Sequence, residues 1–185
     1  MTTAAPSEHI VVPGKRLGRL PKSDRVALCM GDYLTGVTPA RPATVDHITS
    51  VPAWNLGRNT QFSTCGPTAC ANFVTLSYKF LCGIDVTVAD EDIFALYRLA
   101  GNPNFNPATG AGDRGVDMNQ LMDAFVVNGI VATKADGTKI TVKPLASAAV
   151  SANDVPTVQA VTSLFGGVIF GMNMEVAQQH QQTWD

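Results

Sequence analysis

The residue best placed to do chemistry is Cys65, which stands where an irregular polar stretch runs into an apolar pattern of helical spacing. Helix N-termini present backbone N–H groups and the positive end of the helix dipole, and both favour a thiolate over a thiol. Cysteines at such positions have a pKa lowered from about 8.5 into the range of about 3.5–7.5. Because the thiolate is the nucleophilic form, the sequence predicts an activated cysteine at this position.

A thiolate that attacks an acyl carbon needs hydrogen-bond donors for the oxyanion that develops. The backbone N–H of Cys65 is one candidate donor. A side-chain amide shortly before it is the second, and both Gln61 and Asn59 qualify as catalytic residues in this sense. Gly66, directly after the cysteine, is expected to keep the approach of a substrate to the thiol open.

The helix that must position Cys65 is predicted to follow Gly66-Pro67 and to run to about Leu81. A proline suits the first turn of a helix, where its missing N–H costs nothing, and Gly83 supplies a stop. The residues at helical spacing that we expect to face the core are Ala69, Phe73, Leu76 and Phe80.

Three further helices are predicted, over about residues 90–100, 118–128 and 154–165. The apolar positions that support them are Ile93, Leu96, Ala100, Met118, Leu121, Met122, Phe125, Val158, Val161, Leu164 and Phe165. Each pattern is closed by a glycine, which is typical of helix C-termini.

Strands are predicted at Ile130–Lys134 and Lys139–Lys143, joined as a hairpin through Asp136-Gly137. A further strand is expected at Val168–Met174 and a short one at Val26–Met30. Since helices precede strands instead of alternating with them, the fold class is predicted to be α+β.

Composition limits the class of protein. Apolar residues make up 45% of the chain and charged residues 15%, which excludes a disordered chain and a coiled coil. No apolar run approaches the roughly 20 residues of a membrane span, and the N-terminus lacks the features of a secretory signal. We therefore expect no membrane association, and a location in the cytoplasm or within a virion.

The four cysteines include no C-x-x-C pair and no zinc spacing, so neither a metal nor another cofactor is expected. Cys29 and Cys82, each beside apolar residues, are interpreted as small core residues. The sequence thus separates Cys65 from the other thiols by its position alone.

Residues 1–44 are predicted to form an extended, proline-containing arm, and residues 45–185 the folded domain. The net charge of −2 argues against nucleic-acid binding by the protein as a whole, yet five basic residues lie within the arm: Lys15, Arg16, Arg19, Lys22 and Arg25. Two interpretations stay open, a solvated arm and an arm that docks on an acidic protein partner in an assembly or on nucleic acid.

The segment Cys65-Gly-Pro-Thr-Ala69 resembles the nucleophile signature of the papain-like cysteine peptidase superfamily, in particular its bacterial branches, which include the bacteriocin-processing peptidases. Residues 41–46 are similar to the opening of the mature domain in that family. Residues 112–130 are similar to its glycine pair, helix and following strand, and residues 163–171 to the strand that opens its second subdomain. The resemblance extends over about residues 41–175.

The resemblance implies a papain-like fold, with a helical subdomain followed by a β subdomain that is incomplete here, and a peptide or protein substrate. It implies that Cys65 is the nucleophile and that Gly66 and Gly115 lie along the substrate cleft. The family places its oxyanion-hole glutamine six residues before the cysteine. That position holds Asn59 in this chain, while Gln61 lies four residues before it.

A papain-like nucleophile also needs a histidine base roughly 130–150 residues downstream, which would fall beyond Asp185. The chain offers His9, His47 and His180. We therefore expect either the front part of a longer peptidase or a protein that has kept the fold without catalysis, such as a structural component of a phage virion. A third interpretation makes Cys65 an ordinary first residue of a helix in an unrelated α+β domain.

Overall fold

The computed structural model describes residues 28–30 and 42–171. Four helices and three strands follow one another in these residues: α1 Cys65–Cys82, β1 Val86–Thr87, α2 Asp90–Leu99, α3 Met118–Asn128, β2 Ile130–Lys134, β3 Lys139–Val142 and α4 Val155–Phe165. The predicted α+β class is confirmed. Most of the predicted arm, with its basic cluster and His9, lies outside the described residues, as does His180.

The three strands form one antiparallel sheet in the order β1-β2-β3. The predicted hairpin is confirmed, with Ile130 opposite Val142 and Thr133 opposite Lys139. Its turn places Gly137 at φ 82°, a left-handed conformation that glycine adopts without steric cost. The two-residue strand β1 pairs with the end of β2 and carries too few residues for a recognisable alternation.

The other two predicted strands have different outcomes. Residues 168–171 of the predicted Val168–Met174 strand are not in a strand, and the rest of it lies outside the described residues. Of the predicted Val26–Met30 strand, residues 28–30 are described. Cys29 there forms an isolated parallel bridge with Ala149, and the Met30 N–H donates to the Ala149 carbonyl at 2.8 Å.

Helix α1 begins and ends close to its predicted limits, but of its predicted core positions Leu76 is buried while the other three are not. Phe80 is 38% exposed, and Ala69 and Phe73 are only half-buried. The buried residues are Gly66, Pro67, Thr68, Cys70, Ala71, Val74, Thr75 and Leu76. Most of these side chains are small, which lets α1 lie close to α2, α3 and β1. The buried threonines are satisfied within the helix, since the Thr68 hydroxyl donates to the Thr64 carbonyl at 2.8 Å.

The core lies between α1, α2, α3 and the inner face of the sheet. Its largest fully buried side chains come from α2, and Phe62, Phe94 and Phe105 meet edge to face beside them. The predicted core positions of α2 and the positions Leu121 and Phe125 of α3 are buried, as expected.

Helix α4 departs from its predicted pattern. Only Ala160 and Val161 are buried, whereas Leu164 and Phe165 are 41% and 50% exposed. The helix begins where predicted, because the Asp154 carboxylate accepts a hydrogen bond from the Thr157 N–H at 3.2 Å and so caps the first turn.

The cysteines are thiols, and their burial corrects the sequence interpretation. Cys29 and Cys82 are exposed, not core residues, while Cys70 is completely buried. Burial away from water raises the pKa of the Cys70 thiol to about 12. Across residues 28–30 and 42–171 no helix is long and apolar enough to span a membrane, and no cluster of His, Cys, Asp and Glu has the geometry of a metal site.

Candidate functional site

Cys65 is the first residue of α1 and is exposed. Thr64 before it is fully buried and does not cap the helix, because its hydroxyl donates to the Gly57 carbonyl at 2.6 Å. Pro67 has no N–H, and the Thr68 N–H donates to the Thr64 carbonyl at 3.0 Å. The thiol therefore stands at a helix N-terminus that lacks a side-chain cap.

Asn59 is attached directly to this first turn. Its side-chain amide lies within hydrogen-bond distance of two hydroxyl oxygens, that of Thr64 at 3.0 Å and that of Thr68 at 3.2 Å. Its own backbone N–H donates to the Leu56 carbonyl at 2.9 Å, which closes the preceding turn. The side-chain amide thus ties Asn59 to the first turn of α1 through these two hydroxyl groups.

Gln61 makes a different contact. Its Oε1 atom accepts a hydrogen bond from Arg58 Nε at 2.9 Å, and the guanidinium carbon of Arg58 lies 4.7 Å from the centre of the Phe62 ring. Gln61 is exposed and is bonded to the turn that precedes α1. Of the two amides that the sequence left as alternatives, Asn59 is the one tied to the first turn of the helix that carries Cys65.

Gly66 has a packing role in the structure. It is buried, and a Cβ atom added there would lie 2.7 Å from Val116 Cγ2 and 2.8 Å from Leu121 Cδ2. Such distances are too short for real carbon contacts, so glycine allows the first turn of α1 to approach the start of α3 closely. The predicted place of Gly66 in a substrate cleft stays a prediction.

Gly115 is also buried and is held at φ 83°. Its N–H donates to the Tyr97 hydroxyl oxygen at 2.7 Å, and its carbonyl accepts a hydrogen bond from Asn102 Nδ2 at 2.8 Å. These two bonds fix the backbone of the loop between α2 and α3 at this point.

Asp113 links this loop to the segment that precedes the cysteine. Its carboxylate accepts the Ser63 N–H at 3.1 Å and the Tyr97 hydroxyl at 2.6 Å. Burial, together with the hydrogen bond to Asp113, raises the pKa of Tyr97 above its usual value. Since Asp113 contacts Ser63 and Val116 faces Gly66, residues 113–116 run beside residues 63–66.

The sequence interpretation missed Tyr97, Asp113 and Asn102. Two signals pointed to the loop that holds Asn102 and Asp113: a polar stretch over 101–117 and its four glycines, all of which have φ above 70° in the structure. Neither signal says that a tyrosine in the core face of α2 reaches this loop, because that contact depends on how α2 packs.

His47, the histidine among the described residues, lies too far from Cys65 to act as its base. The His47 ring lies 4.0 Å from the ring of Phe80, centre to centre, and Phe80 follows Cys65 by fifteen helical residues. At a rise of about 1.5 Å per residue, the two ends of this stretch are about 22 Å apart. His9 and His180 lie outside the described residues, so the described part of the chain supplies no imidazole beside Cys65.

Comparison of the chain with protein-family models, with curated proteins and with solved structures gave no match. The function must therefore be inferred from the residues and their geometry.

Proposed function

We propose that the protein is a papain-like cysteine peptidase or amidase, with Cys65 as its nucleophile and with the described residues forming the helical part of a papain-like fold. The observation that carries the proposal is the exposed thiol of Cys65 at the uncapped start of α1, with the side-chain amide of Asn59 anchored to the same turn.

In the proposed reaction, the Cys65 thiolate attacks the acyl carbon of an amide and the carbonyl oxygen becomes an oxyanion. The Cys65 N–H and Asn59 Nδ2 donate hydrogen bonds to that oxygen. The C–N bond then breaks, the amine takes up a proton and leaves, and a thioester remains on Cys65. Attack of water on the thioester releases the carboxylic acid and returns the thiol.

The described residues account for the nucleophile and the oxyanion donors. The proton that the leaving amine needs has to come from a group outside them, since His47 lies at the far end of α1. In this proposal, thioester formation with a reactive acyl donor is fast, whereas turnover of an unactivated amide depends on that further group.

The test is the pH dependence of alkylation by iodoacetamide, read for each cysteine by peptide mass spectrometry. Cys82 is the matched control, because it is an exposed thiol at the opposite end of the same helix. The N-terminus of α1 stabilises a thiolate and the C-terminus does not. We expect the midpoint for Cys65 to lie at least about 1 pH unit below that of Cys82. Equal midpoints near 8.5 contradict the proposal.

A second candidate function is that of a non-catalytic interaction protein in a larger assembly. It is favoured by large apolar side chains that are exposed near the end of α1 and beyond α4, namely Phe80 at 38%, Phe165 at 50% and Phe170 at 70%. A Cβ atom added at Gly166 would lie 3.4 Å from Phe80 Cδ1. The end of α4 therefore contacts the end of α1 at this surface. Equal alkylation midpoints, with no thioester formed from an activated acyl donor, favour this candidate.

A further inference from the structure

Arg58 is held in an unusual conformation beside the site. Among the described residues it is the one non-glycine residue with positive φ, at 53°. Such a conformation is uncommon for residues other than glycine, asparagine and aspartate. The turn around it is closed by hydrogen bonds from the Gln61 and Phe62 N–H groups to the Arg58 carbonyl, at 2.8 and 3.0 Å.

The guanidinium group of Arg58 is fixed from two sides. It lies over the Phe62 ring, and its Nε and Nη2 atoms donate to Gln61 Oε1. A guanidinium has five N–H donors, so these bonds leave others at the exposed surface. Phe62 precedes Cys65 by three residues, which places their Cα atoms at most about 11 Å apart.

A second arginine lies in the segment that runs beside the cysteine. Arg114 is exposed and stands in the segment 113–116, which runs beside residues 63–66. Asp113 is bonded to Ser63, and Val116 lies against Gly66, so Arg114 falls at the level of Thr64 and Cys65. Its backbone is fixed, since its N–H donates to Asn102 Oδ1 at 3.2 Å.

The nearby carboxylates are already engaged. Asp113 accepts hydrogen bonds from Ser63 and Tyr97, and Asp117 caps α3 by accepting the Asn119 and Gln120 N–H groups at 2.9 and 3.0 Å. Asp117 is buried and Asp113 is half-buried, whereas both arginines are exposed. An approaching substrate therefore meets the two cations before it meets these acids.

We propose that Arg58 and Arg114 are specificity-determining residues that select acyl substrates with an acidic side chain next to the bond that Cys65 attacks. This inference rests on the proposed function of Cys65. Exposed guanidinium groups in the turn before Cys65 and in the segment beside it attract a carboxylate over the screening length of about 8 Å at physiological ionic strength, and arginine pairs with carboxylates through two parallel hydrogen bonds.

The first experiment compares iodoacetate with iodoacetamide at Cys65 in the full chain. The two reagents alkylate the same thiolate, with iodide as the leaving group, and differ in charge, so the ratio of their rates does not depend on the thiol pKa. We expect the iodoacetate-to-iodoacetamide ratio to be about tenfold higher at Cys65 than at Cys82, as electrostatic steering allows. Raising the ionic strength from about 0.01 to about 1 M shortens the screening length from about 30 to about 3 Å and is expected to abolish the difference.

Substitution identifies the groups responsible. R58Q combined with R114Q is expected to reduce the ratio at Cys65 to that at Cys82. K139Q is the control, because Lys139 is exposed on β3, which is separated from α1 by two strands of the sheet. A ratio that is unchanged in R58Q/R114Q overturns the inference.

A second pair of probes tests for a peptide side chain. Two tripeptide chloromethyl ketones, with Glu or Gln next to the reactive group, alkylate the thiolate with loss of chloride. Faster reaction of the Glu reagent in the wild type, lost in R58Q/R114Q, supports selection of an acidic peptide. Equal rates for the two peptides overturn it. Failure of the proposed function gives a different result, namely equal iodoacetamide midpoints for Cys65 and Cys82.

Discussion

The hydroxyl of Tyr97 donates to the carboxylate of Asp113 at 2.6 Å, and this pair joins the core face of α2 to the backbone that precedes Cys65. The same hydroxyl accepts the Gly115 N–H at 2.7 Å. A single phenol therefore serves as donor to one loop residue and acceptor for another, two residues apart. Removal of its oxygen affects the contacts of both loop residues.

We expect Y97F to lower the free energy of unfolding by about 1–3 kcal/mol, because the Gly115 N–H and the Asp113 carboxylate lose a buried partner while the ring keeps its packing. Urea denaturation measures the change. Y78F is the control, since Tyr78 packs against the edge of the same core outside this network. Equal stability losses in the two variants would show that the network contributes nothing specific.

Asn59 has two roles that a substitution can separate: its side chain contacts α1, and its amide is proposed to donate a hydrogen bond to the oxyanion. N59D keeps the size of the side chain that lies beside the Thr64 and Thr68 hydroxyls, while the Nδ2 donor is replaced by a charged oxygen. We expect the rate of thioester formation from an activated acyl donor to fall about 10²–10³-fold with little loss of helix content, because one oxyanion donor is removed.

Q61A is the comparison for N59D, because Gln61 is the other amide before the cysteine and its carbonyl is bonded to Arg58. We expect it to retain most of the wild-type rate. The reverse order, with Q61A slow and N59D unaffected, would assign the second donor to Gln61. Circular dichroism of each variant checks that the helices are retained.

G66A tests how tightly the start of α1 packs. Alanine is normally preferred over glycine in a helix by about 1 kcal/mol. Here the added methyl group meets Val116 and Leu121 at less than 3 Å, so we expect a net loss of about 1–3 kcal/mol, measured by urea unfolding. G83A is the reference for backbone strain alone, because its Cβ meets no atom within 4 Å while its φ is 68°. A stabilised G66A would mean that the helix start can move away from α3.

Cys70 predicts a pH dependence of stability. Its pKa is raised to about 12 in the folded protein, against about 8.5 in an unfolded chain. Between these values the folded state holds one proton more, so the free energy of unfolding falls as pH rises, by up to about 1.4 kcal/mol per pH unit from this group. Its contribution is complete below about pH 8.

C70A is expected to flatten the decline between about pH 8.5 and 10, measured by urea unfolding at several pH values. C82A is the control, because Cys82 is exposed. Above about pH 10 the raised pKa of Tyr97 adds a decline of the same sign, so the comparison is made below that value. An unchanged slope in C70A would show that Cys70 ionises without unfolding.

Elements with local signals were predictable. The β2–β3 hairpin follows from Asp136-Gly137, and α3 follows from its apolar spacing and the glycine that closes it. The position of Cys65 at the start of α1 also follows from the sequence, because Pro67 suits a first turn. Each of these signals acts within a few residues, and so does not depend on the rest of the fold.

The face that α1 presents to the core was not predictable in the same way. The sequence pattern favoured Phe73 and Phe80, yet the core takes Cys70, Ala71 and Val74, because α2 fills most of the interior with its own large side chains. The space left beside α2 suits small residues. Which stripe of a helix is buried depends on the volume its neighbours leave, and a single helix does not encode that volume.

The sequence alone determined the α+β class, the approximate limits of the four helices and the thiol at a helix start, since these follow from spacing, caps and turn residues. Only the tertiary structure decided that Asn59 is the amide tied to α1, that Tyr97 and Asp113 brace the segment before Cys65, and that the segment 113–116, which contains Arg114, runs beside it. The physical reason is that hydrogen bonds and packing contacts between residues far apart in sequence form only when the helices pack together. Local sequence patterns carry no information about these contacts.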